Sequence, residues 1–130
     1  MLFIALKIVV IGKKSDGGNM KEITDEFMKE MLKKTKNYTV VILKATEKKN
    51  EPGSEKIIWE HGRRNFELRE EGILSIVCPI RDDSDLDGVG IFSRSHDEVE
   101  NIMKEDPGVK AGIFTYEIHA SMSFPGDKLP

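Results

Sequence analysis

The apolar positions of this chain change period several times, and each change marks an element. Residues 2–12 are apolar but for Lys7, rich in Ile and Val and closed by Gly12, which predicts a buried strand. A polar loop over 13–19 follows. Asn19, with Glu22 three residues on, has the spacing of a capping box, and Met20, Ile23, Phe27 and Met31 then share one face of a helix to about residue 36. A strand is predicted over 38–45 and a polar loop over 46–54, broken by Pro52-Gly53. The next helix runs from Ser54 or Glu55 to Glu71, with Gly72 as its C-terminal cap. Gly62 inside it costs about 1 kcal/mol and is tolerated where another backbone or a ligand comes close. Strands over 73–80 and 89–94 flank a turn at 81–88 and predict an antiparallel hairpin. Ser95 and Glu98 start a short helix with Val99, Ile102 and Met103 on its apolar face, and Pro107 ends it at Asp106. A last strand over 109–124 puts Phe114, Tyr116, Ile118 and Ala120 on one face, and 125–130 read as a loose tail.

The order is βα followed by β-α-β-β-α-β, so the expected class is α+β, ferredoxin-like, with an added N-terminal βα element. The expected division is an extension over 1–36 that is not a separate domain, a domain over 37–124 and a tail over 125–130. Met20 is an alternative natural start. Val40-Val41-Ile42-Leu43, Ile73-Leu74 and Ile76-Val77-Cys78 lack clean alternation, which predicts strands covered on both faces. Two helices cover one face of a four-stranded sheet. A second subunit packed sheet to sheet would cover the other, so a homodimer is expected.

Composition narrows the classes. The chain has 130 residues, 33% charged and 38% hydrophobic, and a net charge of −3 with both signs mixed. No basic stripe points to nucleic acid. Residues 2–11, interrupted by Lys7, are too short to span a bilayer, so no membrane partner is expected. The lone cysteine, Cys78, excludes an intrachain disulfide framework, suits a reducing, cytoplasmic setting, and reads as a small buried hydrophobe.

One polar residue stands out. At about 100° per residue, His61 falls with Ile57, Ile58, Asn65 and Leu68 in one quadrant of its helix, in the middle of an apolar stripe. The ordinary use of such a residue is a core histidine bonded to a backbone carbonyl. The functional use is a general acid or base, which needs a carboxylate to hold its tautomer. Asp106, at a helix-to-strand corner, is the candidate, although aspartate before proline is also a common solvated end. Asp83, Asp85, Asp87 and Gly88 resemble half a calcium loop, but Arg94 stands where the closing glutamate belongs. His96 and His119 lack the spacing of a zinc pair, so no metal is expected. No nucleophile elbow or dinucleotide fingerprint is present, and no cofactor is expected.

Several segments recur in a recognisable order. They are the opening strand at 38–44, Trp59-Glu60-His61, Leu68, Glu71-Gly72-Ile73-Leu74, Pro79, Gly88-Val89-Gly90-Ile91, the helix from Ser95, and Asp106-Pro107-Gly108-Val109-Lys110-Ala111-Gly112. Over residues 38–124, about two thirds of the chain, this set resembles the YciI-like (YCII-related) family of the dimeric α+β barrel superfamily. The resemblance implies a ferredoxin-like protomer that dimerises sheet to sheet. It also implies an active-site pair on the helix histidine and the aspartate of Asp-Pro, here His61 and Asp106. Known chemistry in related proteins is elimination on a chlorinated aromatic, and the wider superfamily includes lactone isomerases and monooxygenases. Two positions depart from the pattern. Cys78-Pro79 replaces Gly-Pro, which would bring a side chain toward the pocket, and Gly108 replaces an aromatic, which would remove a pocket wall. The expected function is a small lyase- or isomerase-type enzyme moving a proton on a small ligand, aromatic ones included. The alternative is a non-catalytic ligand-binding or regulatory module with the same cleft. A cleft-facing His61 within reach of Asp106 separates the first from the second.

Overall fold

The computed structural model describes residues 21–130. The strand expected over 2–12, the loop after it, and Asn19 and Met20 lie outside the described residues. The chain divides after Lys34 into two units. In the first, α1 spans Asp25–Lys33. It starts later than the Asn19–Glu22 spacing predicts, because Thr24 makes the better cap. Its hydroxyl accepts from the Phe27 amide, and Asp25 and Glu26 fill the first turn, where the helix dipole favours negative charge. The helix also ends earlier than expected, since residue 36 already belongs to a strand.

The second unit carries β1 (Lys36–Ala45), a 3₁₀ turn (Glu47–Asn50), α2 (Ser54–Glu70), β2 (Leu74–Pro79), β3 (Leu86–Phe92), α3 (His96–Lys104), α4 (Pro107–Lys110) and β4 (Phe114–Ser123). All pairings are antiparallel and the strand order is β2-β3-β1-β4. This is the α+β, ferredoxin-like arrangement, with β1 and β3 central.

Alternate residues of β1, Thr39, Val41 and Leu43, are buried beneath the helices. Leu74 and Phe92 join them from the sheet, and Val99, Met103, Ile113 and Phe114 complete the core. Cross-strand partners share a face, so the opposite face carries Val40, Ile42, Ile76, Val89 and Ile91. These residues are only half-buried.

Gly72 closes α2 as the spacing predicts. At φ 75° it lets Ile73 donate to the Leu68 carbonyl (2.9 Å) while its own amide reaches Arg69 (3.0 Å). This double bond pattern satisfies carbonyls that a helix end would otherwise orphan. Gly112, at φ 74°, repeats it with Ile113 on Gly108 (2.9 Å) and its own amide on Val109 (3.0 Å).

Three expectations need correction. The last strand does not begin at 109, because residues 107–110 form α4. Asp106 caps that helix and Pro107 sits at its first position, where a missing N–H costs nothing. The hairpin strand begins at Leu86 rather than at 89, since the backbone of Asp85 and Asp87 already pairs with Ala45 and Ile80. Cys78 is exposed, not a buried hydrophobe. It pairs with Val89 on the face away from the helices, so its side chain does not enter the helix side of the sheet.

Candidate active site

On α2, His61 and Asn65 lie one turn apart, and the helix turns both toward the sheet. His61 is 9% exposed and Asp106 1%. His61 Nδ1 lies 2.7 Å from Asp106 Oδ1. The other carboxylate oxygen, Oδ2, accepts from the amides of Gly108 (2.9 Å) and Val109 (3.1 Å). One carboxylate thus caps α4 and holds the imidazole, and the cap fixes the direction in which Oδ1 points.

Burial pushes the Asp106 carboxyl up. The His61 hydrogen bond and charge, with the two backbone amides, outweigh it and hold the group below its ordinary range. Arg64, whose Nη1 is 3.9 Å from Oδ1, adds a positive charge on the same side. Asp106 is therefore ionised near neutral pH and accepts the Nδ1 proton. That leaves Nε2 of a neutral ring as the basic nitrogen. Asn65 Nδ2 stands 3.3 Å from Nε2.

The Phe114 ring backs the imidazole, with centroids 4.8 Å apart and planes tilted by 51°. Gly108 makes room for it. A Cβ at Gly108 would fall 2.4 Å from Phe114 Cδ2. The Phe114 ring, from β4, thus occupies the space that a side chain at 108 would need.

Beside His61 and Asn65 lies a cavity of about 240 Å³ between α2 and the β2-β3 end of the sheet. Its space comes from glycines. Gly88 and Gly90 face the helices opposite Leu43 and Val41, and Gly62 faces the cavity from α2. Apolar side chains such as Val41, Leu74, Val77, Phe92 and Met103 line most of it. An aliphatic cavity of roughly 150 Å³ holds one benzene, so this one takes about a single substituted ring.

The structure brings His61 and Asp106 together and leaves the other candidates apart. His96 lies at the start of α3, 3.8 Å from Asp97, and His119 is exposed on β4. In the acidic loop, Asp87 accepts from Lys49 Nζ (2.7 Å) and Asp82 from the Ser84 amide (3.0 Å). Among the described residues no three metal-ligating side chains cluster, and no helix is long and apolar enough to cross a membrane. Asn65, Phe114 and the glycine pair were not anticipated as site residues. Asn65 stood in the same apolar stripe, four residues from His61, and that spacing was the available sign.

No family model and no curated protein matches the chain. Among solved structures it is similar to the 5-chloro-2-hydroxyhydroquinone dehydrochlorinase of Burkholderia phenoliruptrix AC1100, solved in complex with 2,5-dihydroxybenzoquinone. The identity is 22%, the TM-score is 0.44, and the match covers 63% of this chain and 90% of that one.

Proposed function

We propose that the protein is a YciI-like enzyme of lyase or isomerase type that moves a proton on a small, largely apolar ligand about one ring in size. His61 is the acid-base residue and Asp106 orients it. The observation that carries this reading is the buried 2.7 Å contact between His61 Nδ1 and Asp106 Oδ1, with the imidazole on the wall of an apolar cavity. Such a pair keeps Nε2 basic and aims it at bound ligand, and a well-placed acid-base group accelerates proton transfer by about 10²- to 10⁴-fold. The test is a thermal-shift screen of single-ring phenols, quinones, lactones and 2-oxo acids, repeated on His61→Gln. A ligand is expected to raise the midpoint by mass action, and the wild type, but not the variant, should exchange or eliminate a proton on it. Equal turnover by both proteins would remove His61 from the chemistry.

We also propose that the working form is a homodimer built on the open sheet face. The support is the half-buried stripe of Val40, Ile42, Ile76, Val89 and Ile91, which no helix of this unit covers. Light scattering at micromolar concentration is expected to give twice the 14.7 kDa chain mass. Ile42→Glu, at the centre of the stripe, should return the monomer. A monomer mass for the wild-type protein would sink the proposal.

A further inference from the structure

We infer that Asn65 is a positioning residue that serves His61 in both protonation states. It donates to Nε2 from its amide nitrogen while the ring is neutral. It accepts from Nε2–H through its amide oxygen once the ring has taken up a proton. This builds on the reading of His61 as the proton carrier.

Asp106 commits Nδ1, so all chemistry at the ring passes through Nε2. The partner there is Asn65 Nδ2 at 3.3 Å, long enough to be weak and easily displaced by a ligand's own proton. When Nε2 becomes N–H, a donor can no longer face it. A half-turn about the last side-chain torsion of Asn65 puts Oδ1 where Nδ2 was. Terminal amide torsions have broad, roughly two-fold preferences, so the turn is cheap. The side chain is only half-buried, which leaves it room. Without such an acceptor, the new N–H would face an apolar wall at the cost of an unsatisfied polar group.

No other group duplicates this role. Asp106 caps α4 on the Nδ1 side, and Arg64 of α2 faces Asp106. Glu105, next in the chain, is taken by Lys110 at 2.6 Å. Asp87 of β3 lies on the cavity lining but is held by Lys49. Strands β1 and β2 contribute Val41, Leu43, Leu74 and Val77, α3 contributes Met103, and β4 sets Phe114 against the ring. Asparagine alone among residues of this size both donates and accepts from one fork. Aspartate only accepts, and leucine does neither.

The experiment is a pH titration of the His61 ring nitrogens by ¹⁵N NMR on the full chain, assigned with His61→Gln. It compares wild type with Asn65→Asp and Asn65→Leu. Asn65→Asp is expected to raise the midpoint by about one unit or more, a tenfold gain in proton affinity. Asn65→Leu is expected to lower it by about half a unit, with Nδ1 still protonated in both variants. Asn65→Leu is the deciding variant, because the bond accepted from the charged ring outweighs the weak one donated to the neutral ring, whereas a rise in Asn65→Asp shows only that position 65 faces Nε2. A midpoint within about 0.2 units of wild type in a folded variant would reduce Asn65 to part of the wall. Failure of Asn65→Leu to fold would make it a structural residue and end the inference. The titration uses no ligand, so its outcome is read separately from the ligand screen.

Discussion

Asp106→Ala is expected to cost about 3 kcal/mol of folding free energy and, on the proposed function, to abolish proton transfer. Two losses coincide. The amides of Gly108 and Val109 lose their capping acceptor, worth about 1 kcal/mol. The buried Nδ1–H of His61 loses its partner, worth about 1–3 kcal/mol. For a unit of this size, 3 kcal/mol lowers Tm by roughly 12–24 °C. Asp106→Asn separates the two effects. Its amide oxygen can still cap α4, but its NH₂ then faces Nδ1 and drives the ring to the other tautomer. Stability should largely survive while activity does not. The pH dependence has a definite sign. The folded carboxyl is held below its ordinary range, so the unfolded chain takes up this proton first. The contribution is complete above the ordinary aspartate value of about 3.9 and is lost as pH falls through the lower folded value. Urea unfolding should therefore show a gap between wild type and Asp106→Ala that is widest near neutral pH and narrows below about pH 4. A gap that stayed constant to pH 2 would contradict the ionised pairing.

The second large effect is expected at Gly108. A methyl group there would sit 2.4 and 2.6 Å from two carbons of the Phe114 ring and 3.1 Å from Asp106 Oδ2. The ring is 2% exposed and cannot swing away. Gly108→Ala should cost about 1–3 kcal/mol through overpacking. Gly62→Ala is the matched control. Apart from the helix's own backbone, no atom lies within 4 Å of its added carbon, and alanine favours a helix over glycine by about 1 kcal/mol. The same chemical change should thus lower Tm at 108 and raise it at 62, as calorimetry would read directly. A neutral Gly108→Ala would mean that Phe114 does not occupy the space beside it.

The burial of Thr39, Val41 and Leu43 on one face was hidden in the unbroken apolar run from Val40 to Leu43, but the strand itself, the Gly72 cap and the Ser95–Glu98 start were legible, because each depends on neighbours within a turn or a strand. The ferredoxin-like order followed from them. His61 was visible as a polar group on an apolar stripe, and Asp106 as its candidate partner. What the residues did not show was how Asp106 is held. Asp-Pro with Gly112 beyond is the N-cap and C-cap signature of a short helix. Val109 to Ala111 looked apolar enough to continue as strand. Cys78 misled because its neighbours are apolar, and only the register opposite Val89 shows which face it takes. The cavity was hidden for a related reason. Gly88 and Gly90 create it only once β3 lies opposite Leu43 and Val41, and that pairing spans more than forty residues.

The strand order also sets a sequence of events at the ribosome. β1 can pair with β3 once Phe92 has left the ribosome, but its other edge waits for β4, whose ten residues align from Phe114 opposite Ala45 to Ser123 opposite Lys36. About thirty residues separate Phe92 from Ser123, a few seconds of synthesis at ~5–20 residues per second. For that interval a central strand of the sheet, with the apolar run from Val40 to Leu43, shows an open edge to any other chain nearby. The strand that closes the edge begins with Phe114, the ring behind His61. Sealing the sheet and setting the Phe114 ring behind His61 are therefore one event, and a chain interrupted before β4 would lack both.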